Sequence, residues 1–284
     1  MLDTWTYINN DWFAGATPLM FATTNAAWLG NTVFDGARRY DGVFPDLALH
    51  CQRVVRSAEI MGMIPTCDAE TIEALARDGA KKFASDAALY IRPMFWIEDG
   101  LGPIDPTSTR FALVIQVMPM PDVSQGFSAC ISPLRKPLPE TAPTTAKASC
   151  LYPQLTRAWG EARKRGFDNA VMLDARGDVA EFTMQNLLLV MDNEIHTPVP
   201  NDMLLPGITR ARALGLLRDM GLSIVERKIL PDELFTADEV ISTGNHARIH
   251  PCSRLEETHY GVGQIGKKLA SKYRDFAHQS TKTL

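Results

Sequence analysis

One lysine in this sequence stands in surroundings that favour covalent chemistry. Lys147 is the only charged residue among the sixteen that separate Glu140 from Arg157, and residues 144–149 around it are otherwise small apolar or hydroxyl residues. A poorly hydrated amine holds its proton less tightly, which makes it a nucleophile toward carbonyl groups. A loop lysine whose amine reaches water would show the same pattern, so this feature alone leaves both interpretations open.

A carboxylate also occurs inside an apolar run. Glu181 lies near the start of a stretch that is predicted to form one long strand ending at Val190. A charge buried in such a strand needs a partner. The protonated nitrogen of a pyridine ring would be a suitable partner, and the alternative is a place on the solvent face of an edge strand.

Two turns carry groups that suit a bound anion. Residues 204–210 lead into an amphipathic helix predicted to start near Ile208, and the turn 242–246 follows a strand that ends at Ile241. Unpaired backbone N–H groups at a helix start attract phosphate, and Thr209 adds a hydroxyl group. Ordinary helix capping explains the first turn equally well.

The elements that must position these residues alternate between strand and helix patterns, which predicts a mixed α/β chain. The N-terminus is predicted to form a hairpin over 5–13. Helices are predicted from a cap at Asp46 to Gly62, from Asp68 or Glu70 to Phe83, and from starts near Pro231 and Gly263. The proline-rich segment 118–123 reads as an interdomain linker. We therefore expect a smaller N-terminal domain, 1–117, and a larger C-terminal domain, 124–284, that carries the lysine.

Composition excludes several other classes of protein. A net charge of −4 with no basic block argues against a nucleic-acid partner. The five cysteines are odd in number and widely spaced, which indicates neither a disulfide framework nor a metal site. Neither a signal peptide nor a membrane span is indicated, so a cytoplasmic location is expected. The G-x-G-x-x-G run at 261–266 follows a loop instead of a strand, so it does not predict a dinucleotide site.

Taken in order, these features resemble the class IV (fold type IV) pyridoxal-phosphate-dependent aminotransferases, most closely the branched-chain amino acid aminotransferases. The resemblance spans nearly the whole chain. It rests on six stretches in register: Thr32–Gly36, Tyr90–Pro93, Lys147 with Tyr152, Glu181, Leu205–Arg210 and Asp238–Val240. It implies fold type IV, with two α/β domains, an active site at their interface, and a homodimer.

The resemblance also implies how pyridoxal 5'-phosphate would be held. Lys147 matches the lysine that forms the Schiff base and moves the substrate proton, and Glu181 matches the carboxylate that keeps the ring nitrogen protonated. Tyr152 matches the tyrosine that bonds the ring oxygen. The phosphate is matched by Arg53, Ile208, Thr209 and Asn245.

Substrate residues follow from the same resemblance. Phe34, Arg38, Arg92 and His246 match pocket positions, with Arg92 expected to bind the α-carboxylate through its planar fork. Leu29 replaces a tyrosine common in the branched-chain pocket, and Asn245-His246 replaces a Thr-Ala pair.

The predicted function is amino transfer between an apolar, branched-chain-like L-amino acid and a 2-keto acid. Two alternatives stay open: another reaction of the same fold, namely D-amino-acid or (R)-amine transamination or aminodeoxychorismate lysis, and a cofactor-binding protein without turnover.

Overall fold

The computed structural model describes residues 3–200, 203–261 and 263–279, which form two compact units. The first unit contains the described residues up to Met120 together with Thr145–Leu151, and the second contains Pro121–Thr144 and the chain from Tyr152 onward. The change of unit at Met120 and Pro121 lies inside the segment expected to be a linker. The assignment of Thr145–Leu151, and with it Lys147, to the first unit differs from the expected C-terminal placement.

The first unit is an antiparallel sheet with the strand order β2-β1-β6-β5-β3, in which β4 also pairs with β5. The predicted hairpin is present, and Asn9 and Asn10 form its turn with φ values of 54° and 62°. The strands of the first unit are β1 (Thr4–Ile8), β2 (Asp11–Ala14), β3 (Thr32–Phe34), β4 (Ala37–Arg39), β5 (Leu89–Ile97) and β6 (Thr109–Val117).

Three helices complete this unit: α1 (Asn25–Leu29), α2 (Leu47–Ile60) and α3 (Ala69–Ala80). The Asp68 carboxylate accepts a hydrogen bond from the Thr71 backbone N at 2.9 Å and caps α3, so the helix begins at the first of the two predicted starts. Asp46 precedes α2 in a left-handed conformation and its side chain makes no capping bond, so the expected cap at that helix is absent. The apolar sides of α2 and α3 pack on Ile91 and Ile115 of the sheet.

The second unit is a nine-stranded sheet with the order β12-β11-β10-β13-β14-β7-β8-β9, in which β15 pairs with β14. Parallel pairs join β7 to β8 and β14 and join β11 to β12, while the other pairs are antiparallel. The strands are β7 (Phe127–Arg135), β8 (Asn169–Leu173), β9 (Val179–Phe182), β10 (Asn186–Met191), β11 (Glu194–Pro198), β12 (Ile224–Arg227), β13 (Glu239–Gly244), β14 (Arg248–Leu255) and β15 (Thr258–His259).

The helices of the second unit are α4 (Tyr152–Lys164), α5 (Ile208–Asp219) and α6 (Gln264–Gln279). The helix predicted near Pro231 is a 3-10 helix, Pro231–Thr236. None of the described helices combines the length and the apolar character that a membrane span requires.

The single long strand predicted to end at Val190 is divided in two. The Phe182 backbone N donates to the Gln185 carbonyl at 2.8 Å, which closes a turn between β9 and β10. The hydroxyl group of Thr183 donates to the Asn169 side-chain oxygen at 2.6 Å and holds the turn against β8. Glu181 therefore lies on a short buried strand, one residue before a turn.

Candidate functional site

The predicted site residues fall into two sets, one in each unit. The first unit holds Phe34, Arg38, Arg53, Arg92 and Lys147. The second unit holds Tyr152, Glu181, Ile208, Thr209, Asn245 and His246.

Backbone contacts with the first unit hold Lys147 in place. The backbone N of Lys147 donates to the Ser57 hydroxyl group at 3.0 Å, and its carbonyl accepts from the Phe34 N at 3.1 Å. The next residue, Ala148, forms a bridge with Val33 of β3. These contacts explain why the segment packs with the first unit, although it follows the linker in sequence.

The side chain of Lys147 has the apolar surroundings that the sequence predicts. Ala146 and Ala148 on either side are fully buried, and Lys147 itself is half-buried. Its Nζ lies 5.0 Å from the centroid of the Phe34 ring, within the range of a cation–π contact. The amine of Lys147 therefore lies beside a residue of β3.

Phe34, Arg38 and Arg92 share one face of the first sheet. Phe34 pairs with Met94, Arg38 pairs with Tyr90, and Arg92 lies between those two partners on β5. Because alternate residues of a strand point to the same side, all three lie opposite the face that packs on the helices. The structure therefore groups the predicted substrate residues of this unit.

The two arginines of this face differ in their partners. Arg38 is buried, and its Nη2 donates to the Met118 and Pro119 carbonyls at 2.8 and 3.1 Å, which ties β4 to the chain that leaves β6. Arg92 has a buried Nε for which the described residues supply no acceptor. A donor of this kind suits an incoming carboxylate.

Arg53 is fixed by a buried carboxylate that the sequence argument did not single out. Its Nε and Nη2 donate to the two Asp35 oxygens at 2.6 and 2.9 Å, and His50 Nδ1 lies 2.7 Å from Asp35 Oδ1. Burial alone raises the pKa of Asp35, but the charges of Arg53 and His50 outweigh it and hold that pKa well below its ordinary value. Asp35 could have been noticed as Glu181 was, as a carboxylate in an apolar run.

In the second unit, Glu181 is buried and paired. Its Oε1 lies 2.5 Å from Lys136 Nζ, and its Oε2 accepts from Asn186 Nδ2 at 3.0 Å. The buried position excludes the solvent-face alternative for Glu181. Neither Lys136 nor Asn186 was singled out from the sequence. Lys136 reaches Glu181 because β7 and β9 both pair with β8, and Asn186 reaches it through the turn between Phe182 and Gln185.

Close approaches occur at a glycine in each of the two turns that are predicted to bind an anion. A Cβ atom at Gly207, the residue before α5, would lie 1.8 Å from Asn186 Oδ1, and one at Gly244 would lie 2.7 Å from Gln185 Cγ. Asn186 Nδ2 also donates to the Leu205 carbonyl at 3.2 Å, so the Asn186 amide joins the turn before α5 to Glu181.

The remaining predicted residues of the second unit lie at the ends of its elements. Ile208 and Thr209 form the first turn of α5, Tyr152 begins α4, and Asn245 and His246 follow β13. The hydroxyl group of Thr243, just before Gly244, is buried and meets no acceptor or donor among the described residues. Buried donors beside glycine turns, with a carboxylate on the same sheet, fit a phosphorylated pyridine.

The G-x-G-x-x-G run has a structural role in this fold. The backbone N atoms of Ile265 and Gly266 donate to the two Glu239 oxygens at 3.0 and 2.8 Å. A Cβ atom at Gly263 would lie 1.7 Å from Glu239 Cδ. The start of α6 is therefore filled by a carboxylate of the chain itself, which agrees with rejecting a dinucleotide site there.

Comparison with known proteins places the chain in a family. The model for amino-transferase class IV matches residues 32–255. The chain belongs to this family. The assignment confirms the predicted fold type, the transaminase class and the pyridoxal phosphate cofactor.

Named relatives of this class IV aminotransferase include the branched-chain-amino-acid aminotransferase of Escherichia coli K12, which is 30% identical over 254 residues, or 86% of this chain and 82% of the relative. A probable branched-chain-amino-acid aminotransferase of Rickettsia bellii is 29% identical over 88% of this chain and 86% of the relative. Among solved structures, an aminotransferase from Brucella abortus bound to PLP superposes with a TM-score of 0.95, at 41% identity over 97% of this chain and 99% of that one.

Proposed function

We propose that this class IV aminotransferase transfers an amino group between an apolar, branched-chain-like L-amino acid and a 2-keto acid, and that Lys147 is its catalytic residue. The observation that carries the proposal is the placement of Lys147 between two buried alanines, with its amine against the Phe34 ring. The names of the relatives support the choice of substrate class.

Lys147, Glu181 and Arg92 have separate roles in the proposed amino transfer. Bound pyridoxal phosphate supplies an aldehyde and an electron sink for the carbon that loses its proton. The Lys147 amine would hold the aldehyde, would be displaced by the substrate amine, and would then move the proton from the substrate Cα to the cofactor carbon. Glu181 would accept a hydrogen bond from the protonated ring nitrogen, and Arg92 would donate to the substrate carboxylate.

The remaining residues anchor the cofactor. Arg53, oriented by Asp35, and the N–H groups at Ile208 and Thr209 oppose the charge of the phosphate, and Asn245 adds a side-chain amide. Tyr152 is assigned to the ring oxygen. His246, an exposed residue after β13, and Arg38, at the edge of the Phe34 face, are assigned to the rim of the substrate pocket.

Trapping the adduct tests the assignment of Lys147. Borohydride reduction of the purified yellow enzyme, followed by peptide mapping, should place the cofactor mass on Lys147. Lys147→Ala should lose the reducible adduct and about 10³-fold or more of its transaminase activity. Lys164→Ala, which changes an exposed lysine of α4, serves as the matched control and should retain both. An adduct on another lysine would contradict the proposal.

Substrate class is tested by following cofactor colour in half-reactions. We expect L-leucine to bleach the enzyme rapidly and L-glutamate to serve as a second donor, while D-alanine and an (R)-arylethylamine react slowly. Bleaching by the last two but not by L-leucine would refute the L-amino-acid assignment and leave the cofactor assignment intact.

Two further expectations belong to this proposal. We propose that the chain forms a homodimer, which is supported by an exposed apolar patch in the first unit: Phe21, Trp28, Leu29 and Leu101. A cytoplasmic location remains a prediction from the sequence.

A further inference from the structure

Lys136 is the most deeply buried ammonium group with a defined partner among the residues that the structure describes. Its exposure is 7% and that of Glu181 is 5%, and their charged atoms lie 2.5 Å apart. Removing a lysine from water is costly unless its partner compensates for the lost hydration. The position therefore calls for a reason beyond packing.

Strand pairing brings the two residues together. The Lys136 backbone N donates to the Leu173 carbonyl at 2.9 Å, while Glu181 pairs with Met172, the residue before Leu173 on β8. The backbones of both residues are thus bonded to the same strand. Lys136 directly follows β7, so the order of the strands in the sheet places it near Glu181.

Other titratable groups near β9 are few. Among the strands that pack on β9, β8 and β10 carry no titratable side chain, and on β11 Glu194 and His196 lie 3.3 Å from each other. Asp178, which directly precedes β9, lies 3.3 Å from Lys228 Nζ. The recorded polar contacts of Glu181 are Lys136 on one oxygen and the uncharged Asn186 amide on the other. The charge that Glu181 presents to any further donor is therefore governed by Lys136.

We propose that Lys136 is a positioning residue that keeps Glu181 ionised and oriented and that lowers the proton affinity of the cofactor's ring nitrogen. A carboxylate that already shares its charge with an ammonium attracts a further proton less strongly than a lone carboxylate does. The Lys136–Glu181 pair thus sets how strongly the ring acts as an electron sink. This inference rests on the proposed function of Glu181.

The pairing is first tested on the enzyme freed of its cofactor. In Lys136→Met, Glu181 becomes a buried carboxylate without its cation, so ionisation of Glu181 should destabilise the folded chain. The Tm of Lys136→Met should therefore equal that of the wild type near pH 4. As the pH rises, the Tm of the variant should fall below that of the wild type, by about 10 °C at pH 8. Lys136→Met combined with Glu181→Gln should remove the pH dependence.

The tuning is tested on the loaded enzyme with pyridoxal phosphate labelled with ¹⁵N in the ring. We expect the ¹⁵N signal of Lys136→Met to titrate about one pH unit higher than that of the wild type, a tenfold gain in proton affinity. Lys136→Arg, which keeps the charge, should restore the wild-type midpoint, and Lys164→Met should leave it unchanged. Lys136→Gln gives a second neutral variant in case Lys136→Met fails to fold.

Two results would overturn the inference. One is a pH-independent loss of Tm that is equal in Lys136→Met and the double variant, since Lys136 would then act by packing alone. The other is an unchanged ¹⁵N midpoint in the neutral variants. If the wild type takes up no pyridoxal phosphate, the proposed function fails, while the thermal measurements still decide whether Lys136 keeps Glu181 ionised.

Discussion

Two buried ion pairs in this chain each contain a residue that is predicted to bind the cofactor. Asp35 neutralises Arg53, and Lys136 neutralises Glu181. A pair of this kind contributes little net stability, but removing one partner leaves an uncompensated charge. The pairs are thus better explained by the orientation that they impose on Arg53 and Glu181 than by the stability of the fold.

Asp35→Asn tests this explanation in the first unit. The substitution leaves the Arg53 guanidinium buried without its anion, so we expect a loss of about 3–5 kcal/mol in the free energy of unfolding. Affinity for pyridoxal phosphate should fall about tenfold, because Arg53 loses its orientation. Urea unfolding and a fluorescence titration with the cofactor measure the two effects.

The difference in the free energy of unfolding between wild type and Asp35→Asn should depend on pH in a defined direction. The pKa of Asp35 is lowered in the folded protein, so its contribution is present above the ordinary carboxyl pKa and is lost only in strong acid. The gap between wild type and Asp35→Asn should therefore persist from pH 8 to pH 4. Asp86→Asn, at an exposed carboxyl group of the same unit, is the control, and equal stability of the two variants would contradict the argument.

The chemistry of single residues could be predicted where their own neighbours revealed it. Lys147 and Glu181 each stood out against an apolar sequence, and the structure places both in such surroundings. Their partners could not be identified in the same way. Lys136 is 45 residues from Glu181 and reaches it only because β7, β8 and β9 are adjacent in the sheet.

At the scale of elements, the predictions succeeded where local chemistry decides the structure. The Asn9-Asn10 hairpin and the Asp68 cap of α3 depend on residues a few positions apart. The break at 183–185 was missed because the hydrogen bond that holds Thr183 comes from Asn169, on another strand. The 3-10 helix after Leu230 begins at a proline, which by itself also fits an α-helix.

Gly207→Ala tests the turn before α5 as an element. The new methyl group would collide with the Asn186 amide, which is buried and bonded to both Glu181 and the Leu205 carbonyl. We expect at least a tenfold loss of affinity for pyridoxal phosphate, measured by titration of the cofactor-free enzyme. The reason is that the turn and Glu181 lose their common anchor.

A matched control and a double variant make this test specific. Gly215 lies in the interior of α5 with open space around its Cα, so Gly215→Ala should leave cofactor affinity unchanged and stabilise the fold by about 0.5–1 kcal/mol. In an Asn186→Ala background, Gly207→Ala should cause little further loss of affinity. A full additional loss there would show that Asn186 is not the obstacle.

At the scale of the whole molecule, the sequence indicates two domains but not how the chain is divided between them. Residues 145–151 belong to the first unit because of contacts with Val33, Phe34 and Ser57, about ninety or more residues earlier. No local pattern encodes such pairings. The resemblance of the whole chain supplied the function, while the position of Lys147 on the first unit depends on these long-range contacts.

The exposed apolar patch of the first unit, Phe21, Trp28, Leu29 and Leu101, also has meaning at this scale. Phe21, Trp28 and Leu101 are 77%, 70% and 88% exposed. Asn25 Nδ2 donates to the Gly100 carbonyl at 2.7 Å and joins the segment of Trp28 to that of Leu101. Exposed apolar side chains on joined segments favour a protein interface.

Disrupting this patch tests the proposed homodimer. Light scattering during size exclusion should give twice the chain mass for the wild type, and Trp28→Glu with Leu101→Glu should shift the protein to the monomer at micromolar concentration, because two charges would have to be buried per protomer. Leu230→Glu, at a residue of the second unit that is 58% exposed, should remain dimeric. A dimer that persists in the double variant, with unchanged dissociation on dilution, would place the interface elsewhere on the chain.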